Sequence, residues 1–288
     1  MIDDAEITGV ADTALWMAAI RAEESKRPDA LFSDPLAALL AGSRGSKILR
    51  SLSSGSHVNW GMVIRTSAVD QLLWSALRDG VDTVLNLGAG LDARPYRMDL
   101  PPTLRWIEMD LPDLIERKNS LLLNRPSKCQ VERIGLDLCD RAARNRHFAG
   151  IGKASTNTLV ISEGLTPYLL KDIVMDLGED LRAISSFRSW IQDFDNAGPR
   201  GMPKKWARKL RAAPFLFQVG DWFEFLAQAG WRAHVIVTTL EESERVGRPL
   251  PWEFPSGLVM HALPAKLRRR ILSVTGAVWL EKCGGAPP

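Results

Sequence analysis

A glycine turn and an acidic residue about twenty positions later form the pattern in this chain with the clearest chemical meaning. Gly88-Ala89-Gly90 follows one run of apolar residues, and Asp110 ends a second run. Glycines let the backbone approach a ligand where a Cβ atom would collide with it. A carboxylate at this distance from the turn can accept hydrogen bonds from both hydroxyls of a ribose. The pattern therefore predicts a nucleoside-binding βαβ unit.

The residues after the turn favour a ligand without a pyrophosphate. The chain continues Leu91-Asp92-Ala93-Arg94, so it lacks the third glycine of a dinucleotide-binding motif. The Asp92 carboxylate lies near the turn, where it would repel a pyrophosphate on the helix N-terminus. A ligand with a ribose and no phosphate fits this loop better, and S-adenosylmethionine is the common one. A nicotinamide-dependent dehydrogenase is the disfavoured alternative.

Acidic residues also follow other predicted strands. Ligands of open α/β sheets bind at the carboxyl ends of the strands, and Asp137, Glu163 and Asp193 stand at three such ends. Asp137 is placed to accept the exocyclic amine of adenine, although carboxylates at strand ends also cap the next helix. The strands are predicted at residues 81–87, 104–109, 130–136, 158–162, 189–194, 232–238 and 277–283.

These strands require helices on both faces of a mostly parallel, Rossmann-like sheet, which is an α/β fold. Residues 80–288 are predicted to form this domain as one compact unit, with 198–214 as an excursion. Residues 1–79 are predicted to form an N-terminal helical cap over the ligand pocket. Within that cap, the Gly- and Ser-rich stretch from Gly42 to Ser56 is predicted to be a mobile loop.

The whole-chain composition is that of an ordinary globular protein. The 288 residues are 45% hydrophobic and 25% charged, and a net charge of +3 gives no argument for a nucleic-acid partner. Three cysteines stand far apart without metal-ligand spacing, so neither a metal site nor a disulfide framework is expected. No apolar run reaches membrane-spanning length. We expect a cytoplasmic protein with no membrane partner, and no pattern sets its oligomeric state.

The chain resembles the leucine carboxyl methyltransferase family, and is most similar to the bacterial branch that includes polyketide O-methyltransferases. The resemblance is good over residues 15–195 and loose in the C-terminal third. The motifs that carry it are Arg21-Ala22-Glu23-Glu24-Ser25, Phe32-Ser33-Asp34-Pro35, Ile64-Arg65-Thr66 with Asp70, residues 86–94 with Tyr96-Arg97, Glu108-Met109-Asp110-Leu111-Pro112 through Lys118, and Glu163-Gly164-Leu165-Thr166-Pro167-Tyr168-Leu169.

The resemblance implies a class I methyltransferase fold that binds S-adenosylmethionine and releases S-adenosylhomocysteine. It assigns Arg65 to the carboxylate of the methionine moiety, Glu163 to its amino group and Asp110 to the ribose. Gly88 would line the methionine end, and Asp137 with Leu138 the adenine. The predicted cofactor-binding residues are Arg65, Gly88, Ala89, Gly90, Asp110, Leu111, Asp137, Leu138, Glu163 and Gly164. Without the family, a surface salt bridge from Arg65 to Asp70 or Glu24 is the favoured interpretation.

Two positions depart from the family pattern. Ala93 replaces a common threonine, and Ser67 stands where a second arginine is frequent. Neither change removes a ligand of the cofactor. The change at Ser67 is expected to alter the pocket that faces the substrate.

Methyl transfer from a sulfonium requires the protein to hold donor and acceptor together and to exclude water. A carboxylate acceptor needs no base, whereas a phenol does. Only four histidines occur, which favours a carboxylate or an acidic phenol. The candidate catalytic residues are His57 in the cap and Tyr168, which could orient the acceptor or only pack. Lys26, Arg27 and Arg94 are candidate anchors for an anionic substrate.

The predicted function is therefore O-methylation of a carboxylate or acidic phenol of a small molecule. Phe215, Phe217, Phe223 and Phe225 cluster in the C-terminal half together with several tryptophans, and some of these side chains are expected to line a flat apolar pocket for a polyketide-like acceptor. Two alternatives stay open. One is methylation of a protein C-terminal carboxylate, and the other is a sensor or partner subunit that binds the cofactor without turnover.

Overall fold

The computed structural model describes residues 6–52, 56–196, 208–251 and 273–283, together with Pro264, Lys266, Leu267 and Arg269. All seven predicted strands are present, with ends shifted by a few residues. The strands are β1 (Thr83–Leu87), β2 (Arg105–Asp110), β3 (Gln130–Gly135), β4 (Thr158–Ser162), β5 (Phe187–Asp195), β6 (Trp231–Thr238) and β7 (Thr275–Lys282). The helices are α1 (Val10–Glu24), α2 (Ala37–Leu52), α3 (Ser56–Arg78), α4 (Arg94–Arg97), α5 (Pro112–Leu122), α6 (Arg141–Lys153), α7 (Lys171–Ala183), α8 (Trp222–Gln228) and α9 (Thr239–Arg245), with a 3₁₀ turn at Thr166–Tyr168.

The strands form one sheet in the order β3-β2-β1-β4-β5-β7-β6. β1 to β5 run parallel, and β7 lies antiparallel between β5 and β6. Every residue of the central strands β1 and β4 is buried, because apolar layers cover both faces of the sheet. The carboxyl ends of β1 to β6 and the first residues of β7 therefore share one edge. This architecture confirms the predicted α/β fold.

The predicted loop from Gly42 to Ser56 is wrong for residues 42–52, which are helical. α2 is broken only at Gly42, where φ is 59°, and continues to Leu52. Its apolar face buries Ile48 and Leu52. Gly45 lies against α1, where a Cβ atom would stand 2.5 Å from the carbonyl oxygen of Leu15. This glycine permits close helix packing and does not mark a turn.

α3 belongs both to the N-terminal helices and to the sheet. Its first half faces α1, while Ala68, Leu72 and Ala76 pack with strand residues in one hydrophobic cluster. The predicted division of the chain after residue 79 stays a prediction. Of the predicted excursion, residues 198–207 lie outside the described residues. Within the described part of the chain, no helix is long and apolar enough to cross a membrane.

Candidate functional site

A cavity of about 760 Å³ runs along the carboxyl edge of the sheet beneath α1 and α3. Cavities of roughly 300–1,000 Å³ hold drug-sized ligands. Ten of the twelve predicted site residues line it: His57, Arg65, Gly88, Ala89, Gly90, Asp110, Leu111, Glu163, Gly164 and Tyr168. Asp137 and Leu138 do not. The sheet edge thus collects side chains that are more than one hundred positions apart in the chain.

The glycine turn closes onto the end of β2. The amides of Gly88 and Ala89 donate hydrogen bonds to the carbonyl oxygen of Met109 at 2.8 and 3.2 Å. Gly88 has a φ of 62°, a conformation that side chains rarely adopt. A Cβ atom on Gly88 would also stand 2.9 Å from Leu165 Cδ1. The turn consequently needs glycine here both for its backbone conformation and for space.

Backbone amides orient the Asp110 carboxylate. Its Oδ2 accepts a hydrogen bond from Gly90 N at 2.6 Å, and its Oδ1 accepts one from Leu111 N at 2.7 Å. Burial raises the pKa of Asp110, and the two amide hydrogen bonds offset only part of that effect. Each carboxylate oxygen keeps a lone pair for a further donor. The group is therefore positioned to accept the two hydroxyls of a ribose.

Two arginines, one on α3 and one on α4, hold Glu163 at the end of β4. Arg65 Nε lies 3.0 Å from Glu163 Oε1, and Arg94 NH2 lies 2.7 Å from Glu163 Oε2. Burial alone would raise the pKa of Glu163, but the charges of Arg94 and Arg65 outweigh it and lower the pKa. The partners of Arg65 are Glu163 and Asp193, at 3.1 Å, and not Asp70 or Glu24. The alternative interpretation of Arg65 as a surface salt bridge is wrong.

Asp193 completes this group from the end of β5. Its Oδ1 accepts a hydrogen bond from Gly164 N at 2.7 Å, while its Oδ2 pairs with Arg65. Burial raises the pKa of Asp193 in spite of the Arg65 charge. The sequence marked Asp193 only as one of several acidic strand ends. Its contact with Arg65 could not be seen because 128 residues separate the two.

Arg94 is a structural centre of the site and not an anchor for a substrate. Its guanidinium is buried and pairs at 2.7 Å with each of Asp70, Asp92 and Glu163. The charge of Arg94 also holds the pKa of Asp92 well below its usual range, although burial opposes this. The other two predicted anchors, Lys26 and Arg27, lie outside the cavity. Lys26 pairs with Glu23, and Arg27 with Glu24 and Asp29.

Tyr168 and His57 also line the cavity. The Tyr168 ring packs edge-on against the Phe215 ring, with centroids 5.4 Å apart. Burial raises the pKa of Tyr168, so this phenol stays protonated at neutral pH. His57 lines the cavity from the first turn of α3. Both candidates can contact a bound acceptor, but Tyr168 is not suited to act as a base.

Ser67 does not face the cavity. It is buried, and its hydroxyl donates a hydrogen bond to the carboxylate of Glu242 on α9. Glu242 in turn pairs with Arg245 at 2.6 Å. The expectation that Ser67 alters the substrate-facing pocket is therefore wrong. The residue links α3 to α9 behind the site.

Asp137 and Leu138 follow β3, the edge strand beside β2. Asp137 is exposed and accepts a hydrogen bond from Cys139 N at 2.9 Å. Leu138 is buried in the core below the sheet edge. Their assignment to adenine stays a prediction. No cluster of three or more His, Cys, Asp or Glu side chains suited to a metal ion occurs within the ranges that the structure describes.

The site has the groups that S-adenosylmethionine requires. A Cβ atom at Gly88 would fill the cradle of the turn, and the Asp110 carboxylate opens into the same cavity. The same cavity holds one guanidinium, that of Arg65, beside the carboxylates of Glu163 and Asp193, and a ligand with a carboxylate, an amine and a sulfonium needs charges of both signs. Charge and shape therefore both fit this cofactor.

Comparison with known proteins gives a consistent result. The family model described as leucine carboxyl methyltransferase matches residues 14–181. A Streptomyces avermitilis protein is 32% identical over 88% of this chain and 95% of its own length. A Streptomyces coelicolor protein is 34% identical over 84% and 90%. Both are named as candidate S-adenosyl-L-methionine-dependent methyltransferases.

Two solved structures share the fold over nearly their whole length. A candidate methyltransferase from Thermobifida fusca superposes with a TM-score of 0.56 at 16% identity, covering 96% of each chain. A DUF574 family protein from Streptomyces avermitilis gives a TM-score of 0.55 at 12% identity, covering 92% of this chain and 96% of its own. At these identities the likeness supports the fold alone.

Proposed function

The chain belongs to the leucine carboxyl methyltransferase family, and from this premise we propose that it transfers a methyl group to an oxygen of a small molecule, either a carboxylate or an acidic phenol. Its cofactor is S-adenosylmethionine. The observation that carries the proposal is the single cavity that joins the glycine turn and Asp110 to the Arg65–Glu163 pair and then continues beneath α1 and α3. One end of this cavity suits the cofactor, and the other end has room for an acceptor.

The residues of the chain bind, orient and exclude water. Asp110 would hold the ribose and Arg65 the carboxylate of the amino acid part, while Glu163 and Asp193 offset the positive charge of the ligand. When bound, the cofactor supplies an activated methyl group, and its transfer forms an O–C bond, breaks the S–C bond and leaves the electron pair on sulfur. Because charge is lost in this reaction, excluding water from the reacting atoms favours it.

The acceptor decides whether a proton must move. A carboxylate enters the site ionised and yields a neutral ester without losing a proton. A phenol must give its proton to a base, and His57 is the histidine that lines the cavity within the described ranges. Tyr168, whose pKa is raised by burial, orients the acceptor as a protonated phenol in this proposal.

Calorimetric titration with S-adenosylhomocysteine tests the cofactor site. In Asp110→Ala the affinity should fall by about tenfold or more, equivalent to about 1.4 kcal/mol, because the ribose loses its acceptor. Asp113→Ala is a matched control: it removes the same charge three positions later, from an exposed residue outside the cavity. We expect that control to change the affinity by less than about twofold. Absence of binding to the wild-type protein would overturn the proposal.

Turnover distinguishes the remaining functions. The wild-type protein, given S-adenosylmethionine with a labelled methyl group, is tested on aromatic carboxylic acids, phenols and a peptide with a free C-terminal carboxylate. Methylation of the small molecules supports the proposal, and methylation of the peptide alone would establish a protein carboxyl methyltransferase instead. Tight cofactor binding without any transfer would favour a sensor or partner subunit.

A further inference from the structure

The part of the cavity past Glu163 differs in character from the glycine turn. Because β7 is antiparallel, its first residue Thr275 shares the cavity edge with Phe194 of β5 and with Thr239 after β6. The hydroxyls of Thr239 and Thr275 lie 2.9 Å apart. Asp110 ends β2, on the other side of β1 from β5 and β7, so a nucleoside bound to Asp110 leaves this part of the cavity open.

Residues 213–219 form an irregular segment that contributes Phe215 to the lining of the cavity. Its side chains alternate: Ala213 and Phe217 are buried, Phe215 is partly buried, and Leu216 is 43% exposed. The amides of Leu216 and Phe217 donate hydrogen bonds to the carbonyl oxygen of Pro167 at 2.7 and 3.3 Å. The segment is thereby attached to the 3₁₀ turn that directly follows Glu163 and Gly164.

The alternation and these hydrogen bonds direct Phe215 into the cavity. Its ring meets the Tyr168 ring edge-on, with centroids 5.4 Å apart and an interplanar angle of 78°. Edge-to-face contact is a favoured arrangement of aromatic pairs, so the two rings hold each other in place. Phe217, on the same side of the segment, packs against Phe225 at 5.2 Å and anchors the backbone.

Flexible thioethers complete the apolar lining. Met17 of α1 and Met62 of α3 line the cavity and border the same hydrophobic cluster as Tyr168 and Phe215. Methionine adapts its shape to a ligand and makes favourable contacts between sulfur and aromatic rings. Two fixed rings and two adaptable thioethers form a surface that favours a flat aromatic ligand over a flexible aliphatic chain.

We propose that Phe215 and Tyr168 form the wall of an acceptor subsite, and that this subsite takes a flat aromatic ring carrying the oxygen that is methylated. The inference rests on the proposed function and adds to it the class of the acceptor and a residue that selects it. The size of the cavity agrees, because about 760 Å³ lies in the upper half of the range for ligand pockets, as a site for both a cofactor and an acceptor requires.

The test compares Phe215→Ala with Leu216→Ala, its exposed neighbour on the same segment. The probes are 2-naphthoate and 2-naphthol as aromatic ligands and octanoate as an aliphatic one, titrated calorimetrically into protein saturated with S-adenosylhomocysteine. The wild type should bind an aromatic probe at least about tenfold more tightly than octanoate. Phe215→Ala should weaken that binding by about tenfold, and Leu216→Ala by less than about twofold. Both variants should keep the wild-type affinity for S-adenosylhomocysteine.

Phe215→Leu provides a second variant if Phe215→Ala does not fold, because it keeps an apolar side chain and removes only the ring. The subsite would be overturned by any one of three results. These are equal effects of the substitutions at 215 and 216, a wild-type affinity for octanoate equal to that for the aromatic probes, and no binding of either aromatic probe. These results would leave the proposed function standing as long as S-adenosylhomocysteine binds. If the wild-type protein does not bind S-adenosylhomocysteine, the proposed function itself fails.

Discussion

Asp110 and Glu163 stand on opposite sides of β1 at the same edge of the sheet, yet the fold holds them in different ways. Asp110 receives its hydrogen bonds from the amides of Gly90 and Leu111. Glu163 receives its contacts from the guanidiniums of Arg65 and Arg94, which belong to α3 and α4. One carboxylate is thus oriented by local backbone, and the other by charges brought from distant elements.

The consequence is that the two carboxylates have opposite pKa shifts. Burial raises the pKa of Asp110, so the ionised form of this carboxylate lowers the stability of the fold. The arginine charges lower the pKa of Glu163 despite its burial, so its ionised form stabilises the fold. Both carboxylates line the cavity, but arginine charges hold Glu163 and backbone amides hold Asp110.

The largest expected effect comes from removing the charge at the centre of the Glu163 side. Arg94→Ala leaves three carboxylates that are at most 14% exposed, those of Asp70, Asp92 and Glu163, without a shared partner. Breaking a buried ion network by removing one member costs about 3–5 kcal/mol. Urea unfolding at neutral pH should show a loss of this size in the free energy of unfolding.

Arg141→Ala is the control for that experiment. Arg141 also pairs with several carboxylates, among them Asp176 and Asp180, but its side chain is 46% exposed. Exposed pairs are worth less than about 1 kcal/mol. If both variants lose a similar amount of unfolding free energy, the network around Arg94 stabilises the fold no more than an exposed set of ion pairs does.

A direct comparison of the two carboxylates should give the next largest difference. Glu163→Gln removes an ionised group that two guanidiniums require, and we expect a loss of about 3 kcal/mol in unfolding free energy. Asp110→Asn gives up one of two amide hydrogen bonds but also removes an unfavourable buried charge, so its loss should be about 1 kcal/mol or less. Cofactor affinity should fall in both variants. Equal stability losses would remove the distinction between the two sides of β1.

The pH dependence of these variants has a defined sign. The pKa of Glu163 is lowered in the fold, so its contribution is present above the ordinary value of 4.5 and is lost as the pH falls below it. The difference in unfolding free energy between the wild type and Glu163→Gln should therefore become smaller as the pH is lowered. The pKa of Asp110 is raised from 3.8, so its penalty appears as the pH rises through the raised value. The stability of Asp110→Asn relative to the wild type should therefore be higher at pH 7 than at pH 3.

The side of β1 that carries Asp110 could be predicted from the sequence because its determinants are local. The turn, the strand and the acidic residue lie within one short stretch, and the family motif covers that stretch. The hydrophobic runs of the strands also have a clear period and clear ends, so all seven were found. Each of these features depends on neighbouring residues in the chain.

On the other side, the family motif marked Arg65 and Glu163, but their contacts could not be predicted because they depend on packing. Arg94 reaches Glu163 across 69 positions, and Arg65 reaches Asp193 across 128. Gly45 was predicted to lie in a loop because it stands in a stretch rich in Gly and Ser, although its contact with Leu15 of α1 requires a glycine there. The position of Phe215 depends on hydrogen bonds to Pro167, about fifty residues earlier. Residue type and spacing carry no information about such contacts.

The smallest expected effect concerns Asp137, for which the resemblance and the geometry suggest different roles. As an adenine ligand it would accept a hydrogen bond from the exocyclic amine, and Asp137→Ala should weaken S-adenosylhomocysteine binding by about three- to tenfold. As a turn residue that accepts a hydrogen bond from Cys139 N, it should leave the affinity unchanged. S-inosylhomocysteine, which carries a carbonyl in place of that amine, separates these roles. If Asp137 contacts adenine, the wild type discriminates between the two ligands, and Asp137→Ala loses that discrimination.

Asp140→Ala is the appropriate control for this last comparison. Asp140 is also an exposed carboxylate after β3, but its Oδ1 caps α6 by accepting a hydrogen bond from Ala143 N at 2.9 Å. Its removal should lower stability by about 1 kcal/mol and leave the discrimination between the two nucleosides intact. Loss of discrimination in both variants would mean that the loop after β3 acts through its conformation, and adenine recognition would then depend, like the ribose site at Asp110, on the shape of the backbone.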